Sequence, residues 1–169
     1  INPHFLYNTL DTIVWMAEFN DGQRVVDLTK SLAKYFRLAL NQGQEQISLQ
    51  DEIDHVRQYL FIQKQRYGDK LNYEILEEGT LGDYQLPKLV LQPLVENAIY
   101  HGIKEMDRPG MIRVTSEIKE EQVVLTIYDN GRGFALSEST DQTLLRLGGV
   151  GLKNVDQRLR LQFGASYHM

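Results

Sequence analysis

Three short segments in a fixed order limit what this chain can be. LQPLVENAIYHG at 91–102 sets two polar residues, Glu96 and Asn97, inside an apolar helical repeat. DNGRGF at 129–134 puts an acid ahead of two closely spaced glycines, and GGVGLKNV at 148–155 places a second glycine cluster at the start of a helical pattern. Glycine lets a ring or a phosphate come close to the backbone. Exposed N–H groups at a helix start attract anions. An Asn amide oxygen is a hard ligand suited to Mg²⁺ beside phosphates, and a carboxylate such as Asp129 accepts a hydrogen bond from an exocyclic amine like that of adenine. Each segment also has an ordinary reading. Glu96 and Asn97 suit a helix with one exposed side, Asp-Asn-Gly is turn chemistry, and GGVG lacks the Lys of a P-loop and the preceding strand of a Rossmann site. Only the three together, in this order, point to a nucleotide site. Tyr100 and His101 fall one turn beyond Asn97, within reach of phosphate oxygens.

The rest of the chain divides at a polar, Gly-containing stretch, 41–47. Before it, residues 1–19 carry Leu6, Leu10, Ile13, Val14 and Ala17 at helical spacing, with His4, Asn8, Asp11 and Trp15 on another face. Asn20-Asp21-Gly22 is a turn, and 23–40 form a second helix with Val25, Val26, Leu28, Leu32, Phe36 and Leu40 apolar. One such hairpin has too little interior for both stripes, and pairing with a second copy into a four-helix bundle is the natural remedy. After the boundary, Ser48 and Asp51 resemble a capping box for a helix over 49–66. A strand is expected at 71–76, a helix from 88 to 101 begun by Pro87 and closed by Gly102, a hairpin of 111–118 with 122–128, a loop at 135–147, and a last helix from 149 to 162. The fold class is α+β: a helical-hairpin region at 1–43 and an α/β sandwich at 47–169 with a mixed, mostly antiparallel sheet.

Composition removes several classes of function. A net charge of −5 argues against nucleic acid as a partner, since a basic face is needed to neutralise phosphates. Without cysteine there is neither a disulfide nor a thiolate metal site. No apolar run reaches the ~20 residues that cross a bilayer. The chain begins with Ile1 rather than Met, at the start of a helical pattern, which reads as a fragment of a longer protein.

The three segments resemble the ATP-binding domain shared by histidine kinases, gyrase-type ATPases and Hsp90-like chaperones. LVENAIYHG is similar to that family's N box, DNGRGF to its first Gly box and GVGLKNV to its second. The resemblance implies that Asn97 holds Mg²⁺ and that Asp129 reads adenine. Gly131, Gly133, Gly149 and Gly151 would shape the pocket with Leu152 beside them, under a short lid at 135–147. The first residues, INPHFLYNTL, resemble the phosphoacceptor segment of sensor histidine kinases of the LytS/YesM type. That type also carries SLQDEI followed by YLFIQKQRYGD, and LQPLVENAI. By this resemblance His4 accepts the γ-phosphoryl group of ATP and passes it to an aspartate on a response regulator receiver domain. The working unit would be a homodimer. The parent would be a bacterial inner- or plasma-membrane protein, anchored by segments outside this stretch, with this part on the cytoplasmic side.

A neutral imidazole is a good nucleophile near pH 7, and phosphoryl transfer mainly needs positioning and charge neutralisation. Phe5 stands where many relatives carry the acid that takes the proton, so Asp11 and Glu96 are the candidate bases. Asn8, one turn after His4, stands where relatives place a group that helps position a water for dephosphorylating the regulator. Pro93 occupies the place, four residues before Asn97, of an acid or Asn in related ATPases, which weighs against a gyrase-like hydrolytic mechanism. The chain stops at Met169, where the family continues into further strands. Two rival readings are an ATPase or serine protein kinase on the same nucleotide fold, and a dimerisation and signalling module without catalysis.

Overall fold

A computed structural model describes residues 3–40, 43–104, 106–120, 122–132 and 149–169. Two long helices come first, α1 (Pro3–Glu18) and α2 (Gly22–Leu40). They are joined through Asn20, which takes a left-handed φ of 57°, a conformation Asn tolerates better than most residues. The buried side of α1 is not the whole stripe expected from its spacing. Phe5, Thr9 and Met16 are buried and Leu6 and Ile13 pack against them, while Leu10 and Val14 stay 44% and 56% exposed. On α2 the buried residues are Leu28, Leu32, Tyr35 and Ala39, while Val26 and Leu40 are exposed.

The short strand β1 (Gln46–Ser48) leads into α3 (Leu49–Tyr67). The Ser48 hydroxyl accepts from the Asp51 N–H at 3.0 Å, so the cap seen in the sequence forms, and Gly68 ends the helix at φ 57° with its N–H on the Lys64 carbonyl. Helix α3 is the spine of the molecule. Leu49, Ile53, Val56, Tyr59, Leu60 and Ile62 are all buried in one cluster that runs from Phe5 and Leu28 to Ile112 and Val155. The hairpin docks on it through apolar contact, through the Lys34–Asp54 ion pair at 2.7 Å and through Arg24 donating to Gln65 at 3.0 Å.

Strands β2 (Leu71–Glu77), β4 (Gly110–Lys119) and β5 (Gln122–Asp129) form one sheet in the order β2-β4-β5. β2 runs parallel to β4, and β4 and β5 pair as an antiparallel hairpin in the register Val114↔Ile127. A separate pair joins β1 to β3 (Gln85–Pro87), antiparallel, with Ile47 opposite Leu86. Of these, the expected hairpin and the strand at 71–76 form, whereas β1 and β3 are too short to have been read from alternation.

The central helix departs from its expected bounds at both ends. Pro87 closes β3 rather than opening the helix, and Leu89 has φ 60°, which no helix admits, so α4 spans Leu91–Asn97. Residues Ala98–Ile103 then wind as a π turn. Gly102 therefore lies inside a turn instead of closing a helix. The last helix, α5 (Gly149–Phe163), starts where the sequence placed it and packs on α4 and β3. No helix among the described residues is long and apolar enough to cross a membrane.

Candidate functional site

Between α4, β5 and α5 lies a cavity of about 1030 Å³, at the upper end of the ~300–1,000 Å³ range of small-molecule sites. Much of its length is apolar, with Leu94 of α4, Ile127 of β5 and Leu159 of α5 on its walls. Residues of all three motifs are on its walls. Asn97, Gly102, Asp129, Gly131 and Leu152 line it, contributed by the end of α4, the π turn, the end of β5 and the first turn of α5.

Asp129 is fixed there by its own loop. Its Oδ1 accepts from the Gly131 N–H at 2.8 Å, while Asn130 Oδ1 accepts from the Met111 N–H at 2.7 Å and pins the loop to β4. Two backbones cross at this point. A Cβ on Gly131 would overlap the Gly102 Cα and lie 2.5 Å from Asp129 Oδ1, and one on Gly102 would lie 2.8 Å from the same oxygen. Position 131 therefore requires glycine and a side chain at 102 would displace the Asp129 carboxylate, while the Arg132 N–H donates to the Gly102 carbonyl at 3.3 Å across the crossing. Gly102 is the residue the motif reading left out of the site. The signal for it was a glycine just past the Asn helix, facing a second glycine just past an acid. Gly151 is less constrained, since among the described residues a Cβ there would meet only Pro93, at an ordinary 3.7 Å.

Asn97 is half-buried on the cavity wall. Among the described residues no group of three or more His, Cys, Asp or Glu could hold a metal by itself. That donor set suits a hard cation held by one protein oxygen together with phosphate oxygens, the usual habit of Mg²⁺. An acceptor carboxylate braced by a glycine N–H, beside two glycines with no side chain in the way, suits an adenine edge.

The other candidate residues lie elsewhere. Glu96 Oε1 accepts from Gln92 Nε2 at 2.7 Å, and its charge helps to raise the hydroxyl pKa of Tyr35, Tyr59 and Tyr100. It faces the tyrosines, not the cavity. Tyr100, raised chiefly by burial, lies under the Lys104 ammonium at 5.6 Å. The backbone of His101 belongs to the π turn, and Gly149 begins α5. Gly133 and the expected lid at 135–147 lie outside the described residues.

His4 is exposed on the first turn of α1, and the Asn8 amide nitrogen sits 2.9 Å from its Nδ1 and 3.2 Å from its Nε2. Asn8 therefore orients the ring. Among the described residues His4 does not line the cavity, and Asp11 is exposed nearby on the same helix. The two regions are nevertheless tied. Phe5, the neighbour of His4, packs on Tyr35 with ring centres 4.9 Å apart, and the Tyr35 hydroxyl accepts from Gln92 Nε2 at 2.8 Å. Gln92 lies one turn before Glu96 on α4.

Two family models match the chain. One, for histidine kinases, covers residues 1–71 and so runs through α3 beyond the polar stretch at 41–47. The other, described as histidine kinase-, DNA gyrase B-, and HSP90-like ATPase, covers residues 82–169. The chain is similar to the sensor histidine kinase YesM of Bacillus subtilis, 36% identical over 169 residues, covering 99% of this chain and 28% of that protein. It is 35% identical over 167 residues to the sensor histidine kinase BtsS of Escherichia coli, covering 99% and 28%. It is 30% identical over 167 residues to the sensor protein LytS of Oceanobacillus iheyensis, covering 94% and 28%. The chain thus spans less than a third of the length of these relatives.

Proposed function

The chain belongs to the histidine kinase family, its residues 82–169 matching the ATPase domain shared with DNA gyrase B and HSP90, and from that premise we propose that it is the catalytic core of a sensor kinase. It binds Mg·ATP in the cavity, transfers the γ-phosphoryl group to His4 and passes it to an aspartate on a response regulator receiver domain. The observation that carries this reading is that Asn97, Gly102, Asp129, Gly131 and Leu152, from all three motifs, line one cavity.

In this mechanism Asp129 accepts from the adenine amine, and Gly102 and Gly131, by letting two backbones cross beside it, keep its carboxylate in place. Asn97 offers its amide oxygen to Mg²⁺, which supplies charge neutralisation at the phosphates when bound. A His4 ring nitrogen attacks the γ-phosphorus as the bond to the β,γ-bridging oxygen breaks. The attacking nitrogen is the unprotonated one; ADP leaves with the bridging oxygen, an N–P bond forms, and the other ring nitrogen releases its proton to water. Asn8 sets the ring angle for that attack. Residues 1–43 act as the phosphotransfer hairpin and 47–169 as the catalytic domain.

The hairpin works as a homodimer. The support is the apolar side it leaves uncovered, where Leu10, Val14, Phe19, Val26 and Leu40 are 44–67% exposed. The parent protein is anchored in a bacterial inner or plasma membrane with this part on the cytoplasmic side, as the sensor role of the relatives suggests.

The test uses γ-labelled ATP with Mg²⁺ and the full-length protein. Wild type is expected to acquire an acid-labile, base-stable label, and His4→Gln to lose it. Label that persists in His4→Gln, or ATP hydrolysis at the same rate in both, would refute the assignment of His4 and leave only a nucleotide-binding fold.

A further inference from the structure

Helix α4 begins without a side-chain cap of its own. Val90 flanks it with no capping hydrogen bond, and Leu89 before it holds a left-handed φ of 60°. The missing cap comes from α3. Glu52 Oε2 accepts from the Leu89 N–H at 2.9 Å, and Oε1 accepts from the Val90 N–H at 2.6 Å and the Leu91 N–H at 2.8 Å. Three successive amides converge on one carboxylate that has no exposed surface. Burial raises its pKa, and the three N–H groups together with Arg158 act against that rise. From the opposite side, Arg158 of α5 donates to the Lys88 carbonyl at 2.8 Å. The turn at 88–91 is therefore gripped by a carboxylate from α3 and a guanidinium from α5.

The position of this turn matters for the site. Helix α4 is only seven residues long and passes straight into a π turn, so Asn97 is set between the start of the helix and the crossing at Gly102. Asn97 lies six residues after Leu91, about 9 Å along the axis at 1.5 Å per residue. A shift or rotation at the start is carried directly to the amide on the cavity wall. A neutral side-chain amide has one acceptor oxygen and would leave part of this set of N–H groups unmatched. The carboxylate adds a charged acceptor whose three bonds fix both the height and the rotation of the helix.

We propose that Glu52 is a positioning residue for the nucleotide site, holding the start of α4 so that Asn97 meets the Mg²⁺-bound phosphates. The assignment rests on the nucleotide reading given above. It predicts a split: groups that read adenine, on β5 and the loop after it, keep their function when Glu52 is changed, whereas the contribution of Mg²⁺ to ATP affinity does not.

The test compares wild type, Glu52→Gln and Glu52→Asp in the full-length protein by three readouts. These are adenosine affinity, the gain in ATP affinity on adding Mg²⁺, and amide hydrogen exchange at Leu89, Val90 and Leu91 without nucleotide. In Glu52→Gln we expect adenosine affinity within about twofold of wild type, a Mg²⁺ gain reduced about tenfold, and faster exchange at the three amides. Glu52→Asp keeps the charge on a shorter arm, and we expect it to recover part of the Mg²⁺ gain. If Glu52→Gln does not fold, Glu52→Asp against wild type carries the same comparison. Adenosine and Mg·ATP affinity falling together with the thermal midpoint would reduce Glu52 to a folding cap and overturn the proposal, as would an unchanged Mg²⁺ gain. Wild type that binds neither adenosine nor Mg·ATP would instead sink the nucleotide reading itself, before any variant is compared.

Discussion

His55 is buried with its ring stacked on Tyr35, centres 4.4 Å apart and planes 18° from parallel, and among the described residues neither ring nitrogen has a hydrogen-bond partner. Burial pushes its pKa down from 6.5 to about 4. Between those values the unfolded chain binds a proton that the folded chain refuses, so stability rises with pH across the window. The contribution is complete above the unfolded pKa and is lost as pH falls toward the folded one. From pH 7 to pH 5 it amounts to about 2 kcal/mol. His55→Phe keeps an aromatic ring against Tyr35 and removes the titration. Urea unfolding of both proteins at the two pH values should show the wild type losing about 2 kcal/mol more than the variant; equal losses would contradict the assignment. At the same scale, the hydrogen bond between Asp129 and the Gly131 N–H is local and follows from the turn chemistry of the sequence. The role of Gly102 was not legible, because it appears only where the residue's backbone crosses a loop about thirty residues further along the chain.

Elements whose ends are set by neighbours in sequence came out close to their expected bounds. Helix α3 was expected over 49–66 and spans Leu49–Tyr67, since Ser48 caps it and Gly68 stops it. Ser48→Ala removes the Oγ acceptor for the Asp51 N–H. We expect it to lower stability by about 1 kcal/mol, read from the denaturant midpoint at unchanged slope. A loss below a few tenths of that would mean water replaces the cap. Helix α4 shows the opposite case. Its start is set by Glu52, 37 to 39 residues upstream, which also steadies the left-handed Leu89. No local pattern around Pro87 contains that information. The π turn at Ala98–Ile103 is equally invisible to a helical period, and such turns are frequent at functional sites. The stripe on α1 misled for another reason. That helix has two apolar faces, one packed against α2 and α3 and one left exposed, and periodicity does not say which lies inside.

For the whole molecule, the question is what keeps the hairpin on the rest of the chain while His4 lies away from the cavity wall. Besides apolar packing on α3, the contacts that hold it include Phe5 on Tyr59, Tyr35 on His55, Lys34 on Asp54, Arg24 on Gln65, and Gln92 Nε2 donating to the buried Tyr35 hydroxyl. The Lys34–Asp54 pair is substantially exposed and contributes little. The Tyr35–Gln92 bond is different, because it joins α2 directly to the helix that carries Asn97. Burial pushes the Tyr35 hydroxyl up to about 12, so it stays protonated at neutral pH, and Gln92 still has Glu96 as a partner if Tyr35 is lost. Tyr35→Phe should therefore loosen the docked hairpin without leaving Gln92 unsatisfied. With a net worth of about 1 kcal/mol for such a bond, the population of undocked hairpin rises about fivefold. If this arrangement is the resting one, the rate at which His4 acquires label from saturating Mg·ATP should rise by a similar factor while Mg·ATP affinity is unchanged. A slower rate at unchanged affinity would mean that the docked arrangement is itself the productive one. Affinity and rate falling together would show that the bond supports the nucleotide site, not the hairpin's release.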